Sequence, residues 1–238
     1  MSNELNNGSN GRTNRSVPAR VAEAIQRVIA EDGLKPGDQI PSQRVLATTL
    51  GASRSSVREG ISMLETLGIV RVEVGRGIFI AVPDKSTPGE NWRFPHSYSL
   101  REVYQFRKAV EPAALALAAP HFRQTDLAAM RAYALALGTA GNAGNAVSAA
   151  EQDSLFHDLI YARCGNRIFQ ALQAQMRGAI QGSQWAPMVI IEKVKDTARE
   201  HLLIVDALEK RDVRTACAAL EDHIDAAAKR CNITLAPE

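Results

Sequence analysis

The sequence predicts a mainly α-helical chain: an N-terminal winged helix-turn-helix with a small β-hairpin wing, then a C-terminal all-α antiparallel helical bundle. Three observations predict it. Two short amphipathic stretches meet at Gly51-Ala52, as in a helix-turn-helix. Directly after them, Ile69 to Val74 alternates apolar with charged residues, Gly75-Arg76-Gly77 turns the chain, and Ile78-Phe79-Ile80 returns, which is hairpin patterning. Beyond residue 98, six helical segments succeed one another with glycine, proline or Asp-Val junctions between them.

Taken in order, residues 1–16 are polar, rich in Asn, Gly and Ser and without periodicity, so a disordered tail is expected there. A winged helix-turn-helix domain is expected over 17–82. Val21, Ile25, Val28 and Ile29 share a face of a helix that starts near Pro18 and stops at Gly33, and Pro36-Gly37 turns the chain. Ser42 caps a second helix that reaches about Leu50, with Val45 and Leu46 inward. Ser53 caps a third, whose inward positions Val57, Ile61, Met63, Leu64 and Leu67 run to Gly68. Residues 83–98 are rich in Pro, Gly and charge and read as a linker that includes His96. In the all-helical domain expected over 99–238, the segments fall near 99–119, 125–138, 145–164, 167–182, 188–210 and 212–231. The stretch GTAGNAGNA, 138–146, reads as a flexible loop, and His121 as a surface residue.

Composition narrows the function classes. The 238 residues are 45% hydrophobic, enough for real cores. No run is long and apolar enough to span a bilayer, and the N-terminus lacks the apolar centre of a signal peptide, so no membrane partner and a cytoplasmic location are expected. Cys164, Cys217 and Cys231 form no CxxC pair and read as reduced, small apolar side chains. Net charge is only +2, and that excess lies entirely within residues 1–82, which hold ten basic and eight acidic residues.

The second helix of a helix-turn-helix offers its N-terminal end to the DNA major groove. Here that end carries Ser53, Arg54, Ser55 and, one turn on, Arg58, with Arg44 on the preceding helix and Arg76 at the wing tip. Arginine reads guanine with two parallel donors, and serine hydroxyls with helix N-terminal amides suit phosphate oxygens. One such helix reads few base pairs, so a homodimer on a double-stranded, pseudo-palindromic operator is expected.

In the bundle, Asp153 and His157 stand four apart on one helix face, with Ala150, Ile160 and Cys164. His201 lies in the stripe Val194, Ala198, His201, Val205, Leu208, and His223 in the stripe Val213, Ala216, Leu220, His223, Ala227. Four polar side chains thus occupy core-facing positions on three helices. A buried carboxylate needs compensation. A divalent ion such as zinc, nickel, manganese or iron supplies it, and so does a metal-free hydrogen-bonded cluster; spacing leaves both open. Arg107, in the series Val103, Arg107, Val110, Ala114, lies at the edge of an apolar face, placed either to clamp a carboxylate ligand or to pair on the surface with Glu111. An enzyme built on the histidines would need a separate general acid or base, and no residue stands out for that role. A purely structural bundle would answer to no effector.

From Val21 to Ala81 the chain resembles the DNA-binding domain of the GntR family of bacterial regulators, on LKPGDQIPSQRVLATTLGASRSSVREGISMLETLGIV and VGRGIFIA. The resemblance implies operator contacts at Arg44, Ser53, Arg54, Ser55, Arg58 and Gly75. Two positions depart from the usual pattern, Gln43 for Glu and Gly60 for Ala. REVYQFRKAVEPAALALAA, EQDSLFHDLIYARCGN and EHLLIVDALEKRDVRTACAALEDHI resemble the FCD ligand-binding domain of the FadR branch. That resemblance implies Asp153, His157, His201 and His223 as metal ligands, a small organic or sugar acid as effector, and a transcription regulator, with a repressor of a metabolic operon expected, rather than an enzyme.

Overall fold

The computed structural model describes residues 16–82, 92 and 97–235. The tail read over 1–16 lies outside them apart from Ser16, as does the linker read over 83–98, with His96, apart from Trp92, Ser97 and Tyr98.

Helix α1, Val17–Glu31, begins where the Ser16 hydroxyl accepts the Ala19 amide at 3.3 Å, and Pro18 in the first turn gives up no helical hydrogen bond. Helix α2, Gln43–Leu50, is capped by Ser42 and ends at Gly51, whose φ of +60° is the left-handed conformation that a tight inter-helix turn requires. Helix α3, Arg54–Thr66, follows with Ser53 as its cap. The wing is β2, Val70–Glu73, paired antiparallel with β3, Gly77–Ile80.

Two details differ from the sequence reading. A short strand β1, Gln39–Ile40, adds to β3 to make a three-stranded sheet of order β1-β3-β2. Val45 is 42% exposed, and Leu46 is the buried residue of α2; neighbours on a helix point 100° apart, and an eight-residue helix laid against α3 buries a narrow stripe. Gly60, a departure from the family pattern, has a packing reason. A Cβ there would lie 3.0 Å from Val21 Cγ1 and 3.1 Å from the Pro18 carbonyl, so its absence lets α1 and α3 close together.

The bundle comprises α4 Leu100–Ala118, α5 Gln124–Asn142, α6 Ala146–Arg163, α7 Arg167–Gln175, α8 Arg177–Trp185, α9 Val194–Glu209 and α10 Val213–Arg230. A Ser99/Glu102 capping box starts α4. Helix α5 packs on α6 and α9, α10 on α9 and α4, and α4 on α6, so the long helices enclose one interior.

The flexible loop expected at 138–146 is not there. Helix α5 runs on to Asn142 and only Ala143–Asn145 break it. Its glycines are packing positions: a Cβ on Gly141 would fall 2.7 Å from Val194 Cγ1, and one on Gly138 3.3 Å from Ala198 Cβ, so the missing side chains admit α9. The segment read as one helix over 167–182 is two, parted at Met176, and the helix expected from 188 begins at Val194 after two 3-10 turns. Cys164 and Cys231 are buried, Cys217 is half-buried, and all three are free thiols. His121 is exposed.

The halves adjoin. Helices α1 and α3 pack on α6 and α8, and the buried cluster holding Ile25, Val57 and Leu64 continues into Val147, Ala150 and Val194.

Candidate metal and effector centre and DNA-reading surface

The bundle interior collects polar groups from five helices. Helix α6 carries Asp153 and His157 one turn apart, α9 brings His201 and α10 brings His223, so that one ligand atom from each lies within 4.8 Å of all the others. All four side chains are buried, at 0 to 2% exposure. Asp153 Oδ1 stands 3.4 Å from His201 Nε2, and Asp153 Oδ2 stands 3.9 Å from His157 Nε2. These spacings bring donors together without joining them. Asp153 Oδ1 and both nitrogens of His201 have no hydrogen-bond partner among the described residues. The His201 ring is held flat against Phe156, with centroids 3.9 Å apart.

Carboxylates stand behind two of the histidines. Glu111 Oε2 lies 2.8 Å from His157 Nδ1, and Glu200 Oε2 lies 2.9 Å from His223 Nδ1. A carboxylate facing Nδ1 favours the proton there and leaves the lone pair on Nε2, the usual support of a ligating histidine. Helix α4 passes beside this cluster. Arg107, which is 1% exposed, donates from Nε to Glu111 Oε1 at 2.7 Å and from Nη1 to Ser183 Oγ at 3.1 Å, while Nη2 has no partner among the described residues. The Glu111 partner anticipated for Arg107 is therefore real, but the pair is buried rather than on the surface.

Electrostatics follow from burial. Desolvation pushes the Asp153 carboxyl up to about 7 and holds His201 well below its ordinary range, with the His223 and His157 fields adding to the effect. Burial also lowers His223, against the opposing pull of Glu200. Glu111 goes the other way: burial would raise it, but Arg107 and His157 together hold it below the ordinary carboxylate range. A divalent cation fits such a donor set, because it would satisfy Asp153 Oδ1 and the histidine lone pairs in a place where water is excluded.

The second surface lies on the N-terminal domain. The Ser53 hydroxyl accepts the Ser56 amide at 3.1 Å and lies 2.8 and 2.9 Å from the Ser55 and Ser56 hydroxyls, which draws them to the α3 N-terminus. Arg44, Arg54, Ser55 and Arg58 are exposed. At the wing, Gly75 has φ +76° and Gln39 Nε2 donates to the Arg76 carbonyl at 3.0 Å, which pins the tip. The Arg76 guanidinium lies 2.6 Å from Glu73, which also pairs with Arg71, and both arginines lie over the Phe79 ring, at 5.9 and 5.5 Å.

Sequence reasoning missed four contributors. Arg71 was legible, since Arg71 and Phe79 are cross-strand partners in the hairpin register. Glu111 and Glu200 as supports of histidines, and Ser183 as a brace for Arg107, carried no periodic signal.

A winged helix-turn-helix fused to a helical bundle that buries a cluster of metal-type ligand atoms has the architecture of a DNA-binding regulator. The sequence matches the family of bacterial regulatory proteins named gntR over residues 18–80 and the FCD domain over residues 102–226. The chain belongs to the GntR family of bacterial transcription regulators and carries an FCD effector-binding domain. It is 28% identical over 215 residues to the Glc operon transcriptional activator of Escherichia coli, covering 86% of this chain and 84% of that protein. Identity to the HTH-type transcriptional repressor NanR of Salmonella newport is 26% over 215 residues, covering 86% of this chain and 81% of that protein. Among solved structures, E. coli McbR/YncC superposes with a TM-score of 0.55 at 20% identity, over 91% of this chain and 97% of that one. A putative GntR regulator from Rhodococcus sp. gives 0.52 at 19% identity, over 90% and 97%. Both share the fold. The protein is thus a DNA-binding regulator and not an enzyme. No helix among the described residues is long and apolar enough to cross a membrane.

Proposed function

We propose that this protein is a cytoplasmic, homodimeric repressor of a metabolic operon, released or engaged by a small organic or sugar acid bound beside a divalent metal ion. Residues 17–82 form the DNA-binding domain and residues 99–238 the effector domain. Arg44, Ser53, Arg54, Ser55, Arg58, Gly75 and Arg76 meet a pseudo-palindromic operator. Asp153, His157, His201 and His223 hold one zinc, nickel, manganese or iron ion. The observation that carries this reading is the convergence of those four buried side chains, three of which (Asp153, His157 and His201) have polar atoms without a hydrogen-bond partner among the described residues, beside Arg107, whose Nη2 likewise has none.

When bound, the ion supplies Lewis-acid attraction for a carboxylate and its neighbouring hydroxyl. The chain supplies the rest. Arg107 presents Nη2 to the same carboxylate as a charge-assisted donor, Ser183 and Glu111 hold the guanidinium in place, and Glu111 and Glu200 orient His157 and His223. The similarity to NanR, a repressor, supports repression, which needs only operator occupancy that an effector alters; the similarity to the Glc operon activator supports control of an operon.

Mass-spectrometric metal analysis of protein purified without chelator or affinity tag tests the ion, and about one equivalent per chain is expected. A thermal-shift screen over organic and sugar acids, repeated on Arg107→Ala, tests the effector. No ion and no shift on adding Zn²⁺, Ni²⁺ or Mn²⁺ would leave a hydrogen-bonded cluster in the metal's place. Equal acid-induced shifts in both proteins would remove Arg107 as the clamp.

A further inference from the structure

A cavity of about 350 Å³ lies where the two domains meet, walled by α1 and α3 on one side and α6 and α8 on the other. Its size falls within the range of small-molecule sites, which favour domain junctions. It is separate from the histidine cluster. Asp153 and His157 look into the bundle from α6, whereas Ser154, Leu155 and Asp158 of the same helix line the cavity.

The walls are chemically lopsided. Ala19, Met63, Leu155 and Trp185 provide an apolar body. Around them stand three carboxylates, Glu59, Glu151 and Asp158, against one cation, Arg177, whose guanidinium already lies 3.1 Å from Asp158. Glu151 is 3% exposed and accepts the Ser16 amide. An acid would enter a field of its own sign. A cation would not, and the Trp185 indole in the cavity wall is an aromatic surface of the kind that attracts an ammonium group. The indole is oriented by its own hydrogen bond, from Nε1 to Ser154 Oγ at 2.9 Å.

We propose that this junction is a second ligand site, for a small organic cation with an apolar body such as an aralkyl amine, and that its occupant fixes the position of α3 against the bundle. Because the walls belong to both domains, the ligand favours the domain arrangement that closes the cavity; with operator binding favouring a different arrangement, the ligand alters operator affinity and the operator alters its affinity by the same factor. Helix α8 joins this site to the acid-binding centre: Ser183 braces Arg107 on one side and Trp185 faces the cavity on the other.

The chain has two tryptophans. In full-length Trp92→Phe protein the remaining indole, Trp185, reports on the cavity directly. Titration with phenethylamine is expected to give a saturable fluorescence change, with affinity reduced roughly two- to fivefold by Glu59→Gln, as suits an exposed charge. Ser62→Phe, which fills the cavity from α3, should abolish the response, and saturating amine should shift operator affinity at least about fivefold, the lower end of ordinary coupling. Phenylacetate is the control, and any response to it through the bundle interior should survive Ser62→Phe. The proposal is overturned by the absence of a saturable amine response, by equal amine affinity in Ser62→Phe, by phenylacetate competing for the same site, or by unchanged operator affinity at saturating amine.

Discussion

Replacing Glu111 with Gln keeps its shape and removes the charge shared by Arg107 and His157. The guanidinium and the carboxylate are 1% and 0% exposed, so solvent cannot take over. Removing one partner of a buried pair costs about 3 to 5 kcal/mol, because the other charge is left uncompensated. The amide oxygen of Gln still accepts from Arg107 Nε, and a hydrogen bond to a charged group returns about 1.5 kcal/mol of that, for a net loss of roughly 1.5 to 3.5 kcal/mol. At about 2 to 4 °C per kcal/mol for a chain of this size, the melting temperature should fall by roughly 3 to 14 °C. The measurement is a thermal melt in chelator, so that metal loading does not enter. Glu200→Gln is the comparison: its carboxylate is 22% exposed and is shared with Arg230, so it should cost less than half as much. A drop under about 2 °C in Glu111→Gln, or an equal drop in both variants, would refute the claim that Glu111 is the buried counter-charge of the site.

Arg54→Ala or Arg58→Ala should each weaken operator binding by about 1 to 3 kcal/mol per half-site at fixed salt if the contact is bidentate to a base; operator affinity unchanged in both variants would take these residues out of the interface. Stripping the ion with chelator, or installing His201→Ala, should lower the melting temperature of metal-loaded protein, since a ligand that binds only the folded state stabilises it by mass action; a chelator-insensitive melt would contradict a structural tie among α6, α9 and α10. Gly141→Ala should gain helix propensity of about 1 kcal/mol yet lose more by overpacking on Val194, about 1 to 3 kcal/mol, and a rise in stability by urea denaturation would show that α9 gives way freely.

Much of this molecule is written in local patterns. Ser53 and Gly51 mark the helix-turn-helix because capping and left-handed turns are properties of single residues, and the wing is legible from period-two alternation and a Gly-Arg-Gly turn. The stripes through His157, His201 and His223 expose buried histidines because each sits among small apolar side chains on one helix face. The failures have a common cause, which is that tertiary neighbours decided the outcome. Gly138 and Gly141 have loop composition but serve as contact points against Ala198 and Val194. β1 is two residues long, too short for any period, and exists because β3 is beside it. Arg107 and Glu111 at i and i+4 read equally well as a solvated pair; that they are buried depends on α6 and α8 closing over α4. Glu200, next to His201 in sequence, reaches instead to His223 and Arg230 on α10.

Operator affinity with and without acid tests the central claim most directly. Fluorescence anisotropy on labelled operator at fixed salt, with metal-loaded protein and an acid that shifts its melting, should show a change of roughly 5- to 150-fold in wild type and little in Arg107→Lys, which keeps the charge and loses the guanidinium fork. An acid that stabilises the bundle yet leaves operator affinity unchanged would contradict the reading of this protein as an acid-responsive regulator, and equal responses in wild type and Arg107→Lys would contradict the site assigned to it.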